Sequence, residues 1–205
     1  MSSPISIATA TTGRVQNTRA AATKGAILDA ASVVFIRDGY VESSIAAIVE
    51  AAGTSVGSLY HHFSGKAEVF VAAFERFADQ AATAAGAAVA LSRAGGNNDP
   101  VALFAAGARG YLIHCRRFSA LTQLFMFGDG PPGFGALRRR TDTQWVGRNA
   151  KLLGKPGRSS GYALVQVLTT VCASAGREVA QAATETEATE LIEEFCALLV
   201  KIADH

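Results

Sequence analysis

The groups able to do chemistry in this sequence are concentrated between residues 43 and 66. Hydroxyls stand at Ser43, Ser44, Thr54, Ser55 and Ser58, with Tyr60, His61 and Lys66 beyond them. Groups of this kind contact phosphate oxygens and position a protein on a duplex. Thr54, Val56, Gly57 and Ser58 would face base edges, where Val56 suits a thymine methyl and Gly57 lets the backbone come close. Catalytic and metal-binding patterns do not assemble. His61 and His62 are adjacent, so they cannot share a metal on one helix face, and His114 and His205 are isolated. There is no HExxH, no zinc spacing of Cys and His, and no GxSxG. The glycine-rich stretch at 128–135 lacks the lysine of a P-loop and the spacing of a dinucleotide fingerprint. The sequence therefore predicts no catalytic residues, no metal, no cofactor and no enzyme activity. An all-helical small-molecule binder or enzyme without DNA binding is the alternative.

These residues need two short helices and a tight turn. Ile45, Ile48, Val49 and Ala52 recur at i, i+3, i+4, i+7, one apolar stripe of a first helix. Ser43 or Ser44 can cap its start. Gly53 suits the left-handed position that ends it, and Ser55 supplies the next cap. In the second helix Leu59 and Phe63 face inward together, which leaves Val56, Gly57, Ser58, Tyr60 and His61 outside. A supporting helix over 18–38 carries Ile27, Ala30, Ala31, Val34 and Phe35 inward and ends at Gly39.

The string Gly53-x-Ser55-x-Gly57-x-Leu59-Tyr60-x-His62-Phe63, followed by Lys66, resembles the recognition segment of the TetR family of transcriptional repressors. Ile27 to Ala31, Phe35, Gly39-Tyr40 and Ser43 to Ile48 resemble that family's first two helices. The resemblance covers the first third of the chain. It implies an all-α protein: a three-helix, helix-turn-helix DNA-binding head at 18–64 and a ligand-binding and dimerisation bundle at 65–205. It also implies a phosphate contact at Lys66 and a homodimer through the last two helices. Val56 stands where many members carry a basic residue, and Ala46 where they carry Arg.

The bulk properties agree with such a plan. The 205 residues can bury a sizeable core, and the net charge of +2 says little by itself. Its distribution says more, with Arg14, Arg19 and Lys24 ahead of the first acid at Asp29 and a run of glutamates near the end. Residues 1–17 are polar and read as a disordered arm, whose arginines could enter a minor groove or simply be solvated. Cys115, Cys172 and Cys196 are far apart and read as reduced core thiols. With no apolar run of membrane length, the expected location is the cytoplasm.

Beyond residue 66 the reading is of helices and breaks. Ser64 would cap a long helix over 67–91, whose N-terminal dipole together with Lys66 would clamp phosphate. Breaks fall at 93–100, 128–135 and 155–161. Arg138, Arg139 and Arg140 are consecutive, so they fan around a helix axis and read as solvated. Phe74, Phe77, Phe104, Tyr111, His114, Phe118, Phe125, Trp145 and Thr169 are candidates for a pocket taking a small apolar or aromatic effector, with plain core as the competing account. The expected partners are double-stranded operator DNA, that effector and a second copy of the chain. The function expected of the whole is repression relieved by the effector.

Overall fold

A computed structural model of the chain describes residues 8–155 and 161–203, with side chains from Ala20 onward. Among the described residues nine α-helices form: α1 (Ala8–Glu42), α2 (Ile45–Ala51), α3 (Val56–His62), α4 (Lys66–Ala94), α5 (Pro100–Arg117), α6 (Ser119–Phe127), α7 (Phe134–Leu152), α8 (Tyr162–Gln181) and α9 (Glu185–Ala203). They divide into two compact units, Met1–Ala73 and Phe74–His205, and the division falls inside α4.

The first unit is built on aromatic and branched side chains from every helix in it. Ile27, Val34 and Phe35 of α1, Ile48 of α2, Leu59 of α3, and Val69 and Phe70 of α4 are all buried. Phe35 and Tyr40 both meet Phe70 edge-on, with ring centroids 5.0 and 5.1 Å away. Edge-to-face contacts of this kind add to area burial and fix ring orientation. The regular part of α1 breaks at Gly39, whose φ of 72° suits glycine.

In the second unit α5 is the central helix and packs on both α8 and α9. One cluster joins Phe104 and Ala108 to Val146, Leu168 and Leu199. Another joins Leu112 to Ala175, Val179, Ile192 and Cys196. Where α5 meets α4, a Cβ on Gly110 would lie 2.7 Å from the Ala84 carbonyl oxygen and 2.9 Å from the Ala88 methyl. Only glycine permits that approach. Arg109 forks onto Glu193, and Arg116 meets Glu185 at 2.9 Å, tying α5 to α9. All three cysteines are free and buried. Burial pushes the Cys115 thiol up to about 11 and the Cys172 thiol up to about 12.

Two boundaries differ from the sequence expectation. α1 starts at Ala8, so residues 8–17 are helical and not an irregular arm. A polar composition forbids a packed core but not a helix. Once the packed turns from Ile27 onward exist, each further turn needs no new nucleus. Residues 1–7, and the side chains of Arg14 and Arg19, lie outside the described residues. α7 starts at Phe134, two residues early, because Gly133 takes a left-handed φ of 88° and the Phe134 amide reaches the Pro131 carbonyl. No described helix is long and apolar enough to cross a membrane.

Candidate nucleic-acid interface and ligand cavity

The helix pair is fixed by short-range hydrogen bonds. The Ser44 hydroxyl oxygen accepts from the Ala47 amide at 3.1 Å and starts α2. α2 ends in a turn in which the Gly53 and Thr54 amides donate to the Glu50 and Val49 carbonyls. Gly53 there has a φ of 59°. The Ser55 hydroxyl oxygen accepts from the Ser58 amide at 3.1 Å and starts α3. Each cap contributes about 1 kcal/mol. Leu59 and Phe63 are buried, while Val56 is 47% and Tyr60 52% exposed. Gly57 and His61 are exposed beside them. A Cβ on Gly57 would meet only the Ser55 hydroxyl, at 3.9 Å. The outward face of α3 is thus small-sided and bordered by Tyr60.

Two residues expected at this surface are occupied elsewhere. Ser43 is buried, and its hydroxyl donates to the Tyr40 carbonyl at 2.8 Å. The Lys66 ammonium donates to the carbonyls of Tyr40 (2.7 Å), Val41 (3.0 Å) and Ser43 (2.7 Å). It also lies 4.6 Å from the centre of the Tyr40 ring. An ammonium has three donors, and all three are engaged. Lys66 forms a clasp across the link between α1 and α2. The start of α4 differs as well. Gly65 precedes its first residue, and the Ser64 amide donates to the Glu68 carboxylate at 2.6 Å. Hydrogen bonding from the Ser64 side chain, and then from its amide, holds the Glu68 carboxyl below its ordinary range. An acid, Glu68, thus stands in the first turn of α4, beside the expected phosphate clamp.

The second unit holds a cavity of about 670 Å³. Phe74, Phe77, Phe104, Tyr111, Phe125, Trp145 and Thr169 line it, as the sequence suggested. Thr169 does so with its hydroxyl already bonded to the Val165 carbonyl and to the Asn149 amide. His114 and Phe118 are not among the lining residues. His114 is buried between the Phe77 and Phe118 rings, at 5.0 and 4.7 Å, because Phe77 covers it on the cavity side. The lining also contains Arg93, Arg138, Arg139, Arg148 and Arg177, with Asp142 as its acid. These arginines are the functional candidates that sequence reasoning missed. Arg140, by contrast, lines a smaller adjoining recess that shares Phe74, Ala78, Thr141, Trp145 and Arg148 with the cavity.

Residues 27–73 match the model of a family described as bacterial regulatory proteins, tetR family. A 56-residue stretch is 41% identical to the HTH-type transcriptional activator FasR of Mycolicibacterium smegmatis. That stretch is 27% of this chain and 26% of FasR. The likeness to the TetR family of transcriptional regulators is thus carried in sequence by the first third of the chain. The fold of TetR regulators extends over nearly all of the chain. A TetR-family structure from Syntrophomonas wolfei matches at a TM-score of 0.71, covering 89% of this chain and 95% of that one at 15% identity. The fatty acid degradation regulator FadR of Bacillus halodurans matches at 0.69, covering 87% and 94% at 16% identity. A TetR-like regulator from Rhodococcus sp. RHA1 matches at 0.63, covering 88% and 93% at 22% identity.

A pH dependence of the second unit is expected from His114. Its Nε2 has no hydrogen-bond partner. Burial, and then the nearby Arg117 charge, holds the imidazole below its ordinary value of 6.5. An unfolded His114 takes up a proton at a pH where the folded one stays neutral. Stability is therefore present above about pH 6.5 and is lost as the pH falls from there toward the folded value. Melting temperatures measured between about pH 5 and 8 are expected to fall on the acid side. His114→Phe, which suits the ring cluster and removes the orphaned nitrogen, is expected to flatten that limb. An unchanged acid limb in the variant would assign the loss to other groups.

Proposed function

We propose that this TetR-family chain is a repressor released from its operator by a small, largely apolar effector. Residues 18–64 form the DNA-binding head and residues 65–205 sense the effector and dimerise. The observation that carries the reading is the exposed face of α3, where Val56, Gly57 and Tyr60 stand outward while Leu59 anchors the helix. In a dimer two such helices enter successive major grooves of a near-palindromic site. Thr54, Val56, Gly57 and Ser58 face base edges, and Ser44, Ser55, Tyr60 and His61 hold phosphates. With Lys66 engaged internally and Arg37 paired to Asp38, few cations remain for phosphate among the described head residues, and a modest salt dependence is expected.

The dimer uses α8 and α9. On each helix an apolar stripe reaches the surface: exposed Val167 flanked by half-buried Leu164 and Val171 on α8, and exposed Leu198 flanked by half-buried Leu191, Phe195 and Ile202 on α9, the half-buried ones also packing on the unit's own core. Val167 is 51% and Leu198 45% exposed. Two-fold pairing would bury both stripes in a four-helix packing. Val167→Glu or Leu198→Glu places an unpaired carboxylate in that interface twice, at a cost of about 3 kcal/mol or more each. Sedimentation is expected to show folded monomers, and operator binding to fall with the loss of the paired head. A variant that stays dimeric would move the interface elsewhere.

Ligand relief needs differential affinity: a ~100-fold preference for the form with misplaced heads is ~2.7 kcal/mol. A mobility-shift assay on the DNA upstream of the gene tests the head, and loss of the shift on adding an effector tests the sensor. Activation is the second reading, because FasR is named an activator. A reporter that falls when the gene is deleted would favour it; one that rises favours repression.

A further inference from the structure

The cavity of the second unit is long. Its lining on α4 runs from Phe74 to Arg93 and on α7 from Gly135 to Leu152. At the helical rise these stretches are ~28 and ~25 Å long. The two helices run along it in the same sense, since Phe74 meets the Phe134 ring at 5.1 Å at one end. A lined length of this order suits an extended ligand. The middle of the α4 wall is Ala78, Ala81, Ala82, Ala85 and Gly86, all small and apolar.

The polar part of the lining is cationic, five arginines to one aspartate. Two of the arginines are anchored on the last turn of α6. Arg138 donates through Nη1 to the Phe125 and Met126 carbonyls, at 3.3 and 2.9 Å. Arg177 lies over the Phe127 ring at 4.6 Å, which leaves its in-plane N–H groups open. Arg139 follows Arg138 on α7. Among the described residues, none of Arg138, Arg139 and Arg177 makes a salt bridge to an acid. Asp142, the acid of the lining, is one turn further along α7, and burial raises its carboxyl while Arg138 opposes the rise. Guanidinium groups held in place beside an apolar slot form a fork for a planar or tetrahedral anion.

We infer that the effector is a single-chain amphiphile whose hydrocarbon tail lies along the alanine-lined slot and whose carboxylate or phosphate head is held by Arg138, Arg139 and Arg177. The inference rests on the reading of this cavity as the effector site. Trp145 is the single tryptophan of the chain and lines the slot, so its fluorescence reports occupancy of the full-length protein. The probes are tetradecanoate, tetradecyl phosphate, tetradecanol and 2-naphthoate, each kept below micelle formation. The two anionic chains are expected to shift Trp145 at concentrations about tenfold lower than tetradecanol, and the tighter of them names the head. An Arg139→Gln, Arg177→Gln double variant changes two exposed side chains. It is expected to bring the anions to the level of tetradecanol without moving tetradecanol itself. Equal binding of tetradecanol and the anions overturns the inference, as does a Trp145 that no chain perturbs. A 2-naphthoate response that releases DNA while the chains are silent overturns it and leaves the sensing role intact. Chains that bind and leave operator affinity unchanged remove the sensing role instead.

Discussion

Replacing Gly57 by leucine is expected to abolish operator binding while leaving the head folded, and even slightly more stable. Gly57 is in the first turn of α3 and exposed. A Cβ there would meet only the Ser55 hydroxyl, at the ordinary contact distance of 3.9 Å. Nothing inside the unit requires glycine at this position. Glycine is also a poor helix former, so leucine should gain up to about 0.8 kcal/mol of local stability. A groove floor pressed against this face would account for the glycine. A branched side chain on this face would hold the α3 backbone away from a groove floor and separate Thr54, Val56 and Ser58 from their base edges. The expected loss is at least ~100-fold in operator affinity, ~2.7 kcal/mol. Gly57→Ala should fall between. Circular dichroism and melting check the fold, and fluorescence anisotropy with labelled operator checks binding. Wild-type affinity in Gly57→Leu would show that this face does not enter the groove.

The legibility of this site follows the range of the interactions that make it. The caps at Ser44 and Ser55 and the turn at Gly53 involve partners no more than five residues away. Such contacts can be read from spacing, and both short helices start where the sequence placed them. The destination of Lys66 could not be read, because its partners are 23 to 26 residues upstream. One signal pointed to it: the link between α1 and α2 has carbonyls that no helix satisfies, and buried or half-buried carbonyls need a donor. The cavity divides the same way. Aromatic residues at helical spacing identified most of its wall. Its arginines were missed because three consecutive residues fan around a helix by ~100° each, and no face follows from the run alone. The register was present nonetheless. Arg138, Trp145 and Leu152 are seven residues apart, and all three line the cavity.

Lys66→Met is expected to destabilise the head by about 2–3 kcal/mol, a large share of the stability of so small a unit. The ammonium reaches three carbonyls that follow the break at Gly39, and it holds the chain in the course that leads into α2. Hydrogen bonds from a charged donor contribute about 1.5–3 kcal/mol each when fully buried. Lys66 is only half-buried, so water can replace part of that network and the total stays well below three full bonds. Methionine keeps the apolar stem and much of the contact with the Tyr40 ring, which isolates the loss of the donors. Lys66→Arg should recover only part, since a planar guanidinium cannot aim three donors at oxygens arranged around a point. A phosphate ligand would behave differently. Its removal would leave the melting of the head unchanged and lower the salt slope of operator binding by about 1. The clasp predicts the opposite pair of results: amide exchange in α2 and α3 accelerates, affinity falls in proportion to the unfolded fraction, and the slope is kept. Melting unchanged in Lys66→Met, together with a reduced slope, would return this lysine to the DNA.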